Sequence, residues 1–121
     1  MPKKTERVAL RPRIRVVCGE NIALGPGKVD LLALVAQTGS IREAAERMHM
    51  SYMRAWTLIK MMNACFKEPL VEAVRGGKSG GGARLTPTGR KALALYQQME
   101  AACLSATKPG WRELKVLLKD C

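Results

Sequence analysis

Residues 38–86 constrain the fold more than any other part of this chain, because they contain two capped helices followed by a glycine-rich hairpin. Ser40 is predicted to be the N-cap of the first of these helices, and Glu43 follows three residues later, as in a capping box. Ser51 is an equivalent cap for the next helix, which is predicted over residues 52–65. Two short helices separated by a tight turn are therefore expected in the middle of the chain.

Both helices carry an apolar stripe at helical spacing. In the helix after Ser40, small residues in the middle of the stripe allow another helix to approach closely; the stripe consists of Ile41, Ala44, Ala45 and Met48. At 100° per residue, the next helix has an inner face of Tyr52, Ala55, Ile59, Met62 and Phe66, with Trp56 at its edge. The two stripes predict a helix-turn-helix core.

The opposite face of the helix over residues 52–65 combines cations with hydroxyl and thioether groups. Such side chains near a helix N-terminus suit the base edges and phosphates of a DNA major groove. The alternative is an ordinary solvated face, which the outward apolar Met53 makes less favourable. The candidate groove contacts are Ser51, Met53, Arg54, Thr57 and Lys60.

The segment after Pro69 predicts two short strands, over residues 70–75 and 83–86, around the tip RGGKSGGG. GKS is similar to the end of a phosphate-binding P-loop, but that motif needs a glycine where this chain has Glu72, and a helix directly afterwards. The hairpin is better interpreted as a wing, although a merely flexible surface hairpin is the alternative. Helix, helix and basic hairpin together predict a winged helix-turn-helix.

Cations are predicted to contact the DNA backbone from the wing and from nearby helices. Glycines let the main chain approach phosphates, while arginine and lysine supply charge. The wing candidates are Arg75, Lys78, Ser79 and Arg84, and the additional candidates are Arg42, Arg90 and Lys91.

The N-terminal part predicts a basic flexible arm over residues 1–12 and a half-buried strand over residues 13–24, loosened near Gly19. A first helix is expected over residues 26–37, ending at Thr38-Gly39. Its apolar residues fall on two sides, as they do in a fully buried core helix. A helix packed against a second subunit gives the same pattern.

Thr86-Pro87 is a helix start, followed by apolar residues at three-four spacing over residues 87–106. A helix of this length exceeds what a small domain covers, so it is predicted to mediate homodimerisation. Lys108-Pro109-Gly110 is expected to end it. The DNA-binding domain is then residues 13–106, with a short tail over residues 107–121.

The chain has 121 residues, and its 21 Lys and Arg against 10 Asp and Glu give a net charge of +11, which favours polyanionic partners. No apolar run reaches the length of a membrane span, so a cytoplasmic protein is predicted. The four scattered cysteines and one histidine match no metal or catalytic spacing, so no cofactor, metal or enzymatic activity is expected. Buried or incidental thiols are the main interpretation of the cysteines, with redox sensing as the alternative.

The segments TGSIREAAERMHMSYMRAWTLIKMMN and LVEAVRGGKSGGGARLTPTGRKALALY closely resemble the DNA-binding domain of ModE-type molybdate-responsive regulators, and more distantly that of LysR-type regulators. The resemblance covers about residues 24–98. It implies a bacterial or archaeal winged-helix homodimer that binds a palindromic operator, often near molybdenum-related genes. ModE regulators sense oxyanion through C-terminal β-barrels, for which the chain has no counterpart, so no molybdate binding is expected from it.

The sequence therefore predicts a mainly α fold with a small antiparallel sheet, acting as a sequence-specific transcriptional regulator on double-stranded DNA. A general architectural or RNA-associated basic protein is the alternative. A narrower alternative is an adaptor whose dimer surface or tail binds another protein.

Overall fold

The computed structural model describes residues 8–75 and 82–119 and shows four helices with two separate antiparallel hairpins. The predicted mainly α fold is confirmed. The elements in chain order are β1 (Val16–Cys18), β2 (Asn21–Leu24), α1 (Pro26–Thr38), α2 (Ile41–Arg47), α3 (Tyr52–Cys65), β3 (Val71–Val74), β4 (Gly82–Leu85) and α4 (Pro87–Leu117).

The single strand predicted over residues 13–24 is wrong, because the chain reverses within it. Gly19 adopts a φ of 62°, in the left-handed region that glycine enters without steric cost, and β1 pairs with β2 in antiparallel register. The hairpin places Leu24 in the core and leaves Val17 exposed.

Helix α1 extends one residue further than predicted and ends where Gly39 adopts a φ of 69°. The Gly39 amide donates to the Val35 carbonyl oxygen at 2.8 Å, closing the C-terminus. Leu31 and Leu32 lie on different sides of the helix, and both are fully buried within one chain. The core-helix interpretation of α1 therefore accounts for these residues without a second subunit.

Serine caps start α2 and α3 where the sequence predicts them. Ser40 Oγ accepts from the Glu43 amide at 3.1 Å, and Ser51 Oγ accepts from the Arg54 amide at 3.0 Å. The second hydrogen bond of the predicted capping box, from the Ser40 amide to the Glu43 side chain, is wrong. The Ser40 amide donates to Thr38 Oγ1 at 3.1 Å instead. The α1–α2 turn is thereby tied to the end of α1.

Small residues let the three helices of the core approach one another closely. Ala44 and Ala55 are fully buried, and Ala45 is almost so. Ile59 and Met62 of α3 complete the same apolar cluster with α1 residues and the first residues of the wing. This packing fixes α3 relative to α2.

The wing consists of β3 and β4, paired from Val71 opposite Leu85 to Val74 opposite Gly82. Asn63 connects it to α3: its Oδ1 accepts from the Leu70 amide at 2.8 Å and its Nδ2 donates to the Val71 carbonyl at 3.2 Å. The Ala83 amide donates to the Gly39 carbonyl oxygen at 3.0 Å. The base of the wing is therefore held against both α3 and the α1–α2 turn.

Helix α4 begins at the predicted cap, where Thr86 Oγ1 accepts from the Gly89 amide at 2.9 Å and donates to the Pro69 carbonyl at 2.6 Å. The predicted end near Lys108-Pro109-Gly110 is wrong, because the helix continues through Pro109 to Leu117. Pro109 and Gly110 disfavour a helix only through their local conformational preferences. Leu114 and Leu117 continue the apolar stripe of the preceding turns at helical spacing. Residues 107–117 are thus part of α4 rather than a separate tail.

Candidate nucleic-acid interface

The face of α3 that points away from the core carries the five predicted groove contacts. All five are exposed, and Met53 is 70% exposed although it is apolar. We call this surface the outward face; it consists of Ser51, Met53, Arg54, Thr57 and Lys60. Buried alanine and isoleucine on the other side of α3 hold these side chains on a rigid helix.

Hydrogen bonds inside α3 determine what two of these side chains can offer a ligand. Thr57 Oγ1 donates to the Met53 carbonyl oxygen at 2.9 Å, so its oxygen remains as an acceptor. Ser51 Oγ already accepts from the Arg54 amide, so its proton remains for donation. A base edge on this face therefore meets a hydroxyl donor, a hydroxyl acceptor and a guanidinium.

Tyr52 does not belong to the inner face, where the helical pattern placed it, because it is 37% exposed. Trp56 Nε1 donates to Tyr52 Oη at 2.8 Å, so the two rings form a pair along one edge of α3. The Arg42 guanidinium lies 4.8 Å from the Tyr52 ring centroid, and Lys60 Nζ lies 5.7 Å from the Trp56 ring centroid. These cation–π contacts connect α2 to the outward face.

The aromatic pair borders a groove of about 1190 Å³ between α2, α3 and the wing. We call it the wing groove, and its lining brings Arg42 and Arg75 to the same cavity although they lie 33 positions apart (75 − 42). Polar groups of residues 38–40 contribute to the same wall. Tyr52 and Trp56 were not predicted to belong to this surface; the four-residue spacing from Trp56 to Lys60 is the sequence signal that indicates it.

The predicted contact residues of the wing differ in their surroundings. Arg75 is exposed at the end of β3. Arg84 Nε forms an ion pair with Glu72 Oε1 at 2.8 Å across the wing, and both side chains are largely exposed. Such a pair offsets part of the Arg84 charge and contributes little to stability. Lys78 and Ser79 lie outside the described residues, so their predicted contacts stay predictions.

The two cations of α4 that were predicted to contact phosphates, Arg90 and Lys91, are not part of the wing groove lining. Arg90 Nη1 donates to the Leu85 carbonyl oxygen at 3.0 Å, which ties it to the end of the wing. Lys91 instead borders an apolar groove of about 290 Å³ beside α4, with Phe66, Leu95 and Met99. We call this second cavity the α4 groove.

Helix α4 exposes a line of apolar side chains that starts at the α4 groove and continues beyond Pro109. Leu95 and Met99 are 47% and 45% exposed, and Leu114 and Leu117 are 52% and 79% exposed. At 100° per residue all four fall within one 100° sector of the helix. We call them the α4 stripe.

Within residues 8–75 and 82–119, no three His, Cys, Asp or Glu side chains are grouped in a way that holds a metal ion. Over the same residues, no helix has the length and hydropathy needed to cross a bilayer.

A winged helix-turn-helix with an exposed, cation-bearing third helix defines a class of DNA-binding proteins. The sequence profile described as "Bacterial regulatory helix-turn-helix protein, lysR family" matches residues 27–90, more than half of the chain. The chain therefore belongs to this family.

Two curated relatives show which proteins within the class the chain resembles. The molybdenum-pterin-binding protein MopB of Rhodobacter capsulatus is 46% identical over 78 residues, covering 64% of this chain and 29% of the relative. The molybdenum transport protein ModE of Azotobacter vinelandii is 42% identical over 84 residues, covering 69% of this chain and 31% of the relative. The chain thus spans about three tenths of their length, and the predicted resemblance to ModE-type proteins is confirmed.

Among solved structures, the DNA-binding domain of CbnR in a complex with DNA superposes with a TM-score of 0.54 at 22% identity. The match covers 76% of this chain and 97% of that one. This likeness supports the winged helix-turn-helix fold, and the fold prediction is confirmed.

Proposed function

We propose that the chain is a sequence-specific DNA-binding transcriptional regulator that acts as a homodimer on a palindromic operator. The observation that carries the proposal is the outward face, where an exposed methionine, a guanidinium, an ammonium and two hydroxyls lie on a helix fixed by a closely packed core. The family match supports the DNA-binding part of the proposal, because it spans α1 to the start of α4. The proposal assigns the protein no catalytic activity and places it in the cytoplasm.

In this proposal α3 enters the major groove of the duplex and the outward face contacts base edges. The wing groove then accepts the adjacent phosphate backbone. Arg42 approaches it from α2 and Arg75 from the wing, and the Tyr52 ring holds the Arg42 guanidinium in position by stacking. Arginine suits this role because its planar fork can bind two phosphate oxygens at once.

The proposed homodimer forms through α4. Four large apolar side chains of the α4 stripe are about half exposed or more in the single chain, and burial removes apolar area from water at about 25 cal/mol per Å². A two-fold arrangement of two α3 helices on one face of the duplex requires half-sites roughly 34–36 Å apart, or a multiple of that distance.

The relatives named for molybdenum suggest the regulated genes. We propose that the operator controls genes of molybdenum uptake or use, because one relative is named a molybdenum-pterin-binding protein and the other a molybdenum transport protein. The proposal assigns no residue of this chain to an oxyanion.

Selection from a library of random duplexes tests the proposal. The full chain is used to enrich bound duplexes, and the affinity for the enriched sequence is compared with that for a shuffled duplex of equal length at fixed salt. We expect an inverted repeat and an affinity ratio of about 10³ or more. An enriched pool without a common sequence, with a ratio near one, would contradict the proposal.

The second candidate function is a general architectural or RNA-associated basic protein. The net charge of +11 favours it, because phosphate neutralisation by itself gives sequence-independent binding. The same experiment separates the two candidates when a structured RNA is included as a competitor. Equal affinity for shuffled duplex, or preference for the RNA, supports the second candidate.

A further inference from the structure

Two thiols that the proposed DNA contacts do not use lie next to each other. Cys18 is the last residue of β1 and is exposed, and Cys65 is the last residue of α3 and is half-buried. Cys18 Sγ donates to the Cys65 carbonyl oxygen at 3.9 Å. The fold therefore brings together two cysteines that stand 47 positions apart.

The surroundings of this pair give the two thiols different roles. Desolvation raises the pKa of the Cys65 thiol, and the neighbouring Cys18 side chain raises it further, while the nearby Lys28 ammonium lowers it. Cys65 is thus held mainly as a thiol. Exposed Cys18 is the sulfur that a dissolved reagent reaches first.

We propose that Cys18 and Cys65 are a reversible modification site, where an intramolecular disulfide forms by exchange with a low-molecular-weight disulfide such as glutathione disulfide. The proposal stands independently of the proposed DNA-binding function, because it rests on the contact of Cys18 with Cys65 and on none of the proposed DNA contacts.

The exchange takes place in two balanced steps. The Cys18 thiolate attacks one sulfur of glutathione disulfide, so that a mixed disulfide forms and one glutathione thiolate leaves. The Cys65 thiolate then attacks Cys18 Sγ, the Cys18–Cys65 bond forms, and the second glutathione thiolate leaves. The two protons lost by the protein thiols are taken up by the two released thiolates, so the protein is oxidised by two electrons and the small disulfide is reduced by two.

The position of the pair determines what the bond does to the domain. The linked residues enclose α1, α2 and α3, so a bond between them restricts the unfolded chain over the whole helix-turn-helix. Cys65 lies at the opposite end of α3 from Ser51, about 21 Å along the helix. The bond therefore stabilises the domain without covering the outward face.

The test uses the full chain equilibrated with glutathione buffers of increasing oxidised fraction, quenched with an alkylating reagent and mapped by mass spectrometry without reduction. Cys18→Ser and Cys65→Ser remove one partner each, and Cys103→Ser on α4 is the matched control. Thermal unfolding is measured on the oxidised and the reduced chain of each variant.

We expect a cross-linked Cys18–Cys65 peptide in the unchanged chain and in Cys103→Ser, and none in the other two variants. Oxidation is expected to raise the melting temperature by roughly 10 °C wherever the link forms, and dithiothreitol to reverse it. Several results would overturn the proposal: both thiols staying free, separate glutathione adducts on each, cross-links that mainly involve Cys103, or a lower melting temperature after cross-linking.

Discussion

At the scale of single residues, the outward face and the wing are predicted to contribute differently to binding. Arg54→Ala removes a group placed for base contact, so the ratio of operator to shuffled-duplex affinity should fall by about 10- to 100-fold. Lys78→Ala should instead lower the affinity for both duplexes alike. It should also reduce the slope of log affinity against log salt concentration by about one. Arg112→Ala, distant on α4, is the control of equal charge. Fluorescence anisotropy over a salt series measures all three variants; equal losses on both duplexes for Arg54→Ala would contradict its assignment.

Gly89 is a residue whose missing side chain the fold requires. A Cβ at this position stands 2.0 Å from the Leu70 carbonyl oxygen, which is backbone and cannot rotate away. Gly89→Ala is therefore expected to lower the free energy of unfolding by about 3 kcal/mol or more. Gly110→Ala, where a Cβ meets nothing within 4 Å, should raise it by about 0.5–1 kcal/mol. Urea unfolding measures both; a neutral Gly89→Ala would contradict the close contact between α4 and Leu70, the residue before β3.

At the scale of elements, the caps were predictable and the outer end of α4 was not. Ser40, Ser51 and Thr86 mark helix starts through hydrogen bonds within three residues of the chain, so the local sequence determines them. Tyr52 was misplaced because a helical pattern gives the face of a residue but not its neighbours. Here the neighbour that changes the assignment is Arg42 on another helix.

The continuation of α4 through Pro109 gives an element-scale prediction. Proline removes a backbone donor and costs about 3 kcal/mol in a helix interior. Pro109→Ala should therefore slow amide exchange in residues 110–117 by roughly 100-fold, because helix opening there becomes harder. Lys108→Ala is the neighbouring control and should change exchange little. Unchanged exchange in Pro109→Ala would indicate that these residues are not helical in solution.

At the scale of the whole molecule, the sequence could not predict how the wing groove is assembled. Arg42 and Arg75 come together because the Ala83 amide bonds the Gly39 carbonyl, a contact between distant parts of the chain. The apolar periodicity of α4 was predictable from the sequence, since apolar residues repeat there at helical spacing. Its exposure emerged only from the fold, which covers Tyr96 and leaves Leu95 and Met99 half exposed.

The proposed homodimer is tested by charge placed on the α4 stripe. Leu95→Glu puts a carboxylate among side chains predicted to be buried between two copies, so we expect the dimer dissociation constant to rise about 100-fold or more. Gln97→Glu introduces a carboxylate on an exposed side of α4 about 160° around the helix from Leu95, and should leave dimerisation unchanged. Sedimentation velocity over a concentration series measures both. Equal effects of the two variants would place the dimer contact elsewhere.

In the proposed complex, the outward face of α3 and the wing groove contact the duplex together. Backbone amide chemical shifts of the full chain, followed while the enriched duplex is added, test this arrangement. We expect the largest changes in residues 51–60, with further changes in residues 38–42 and at Arg75, and small changes in residues 110–117. The largest changes in the outer half of α4, with residues 51–60 unaffected, would contradict it.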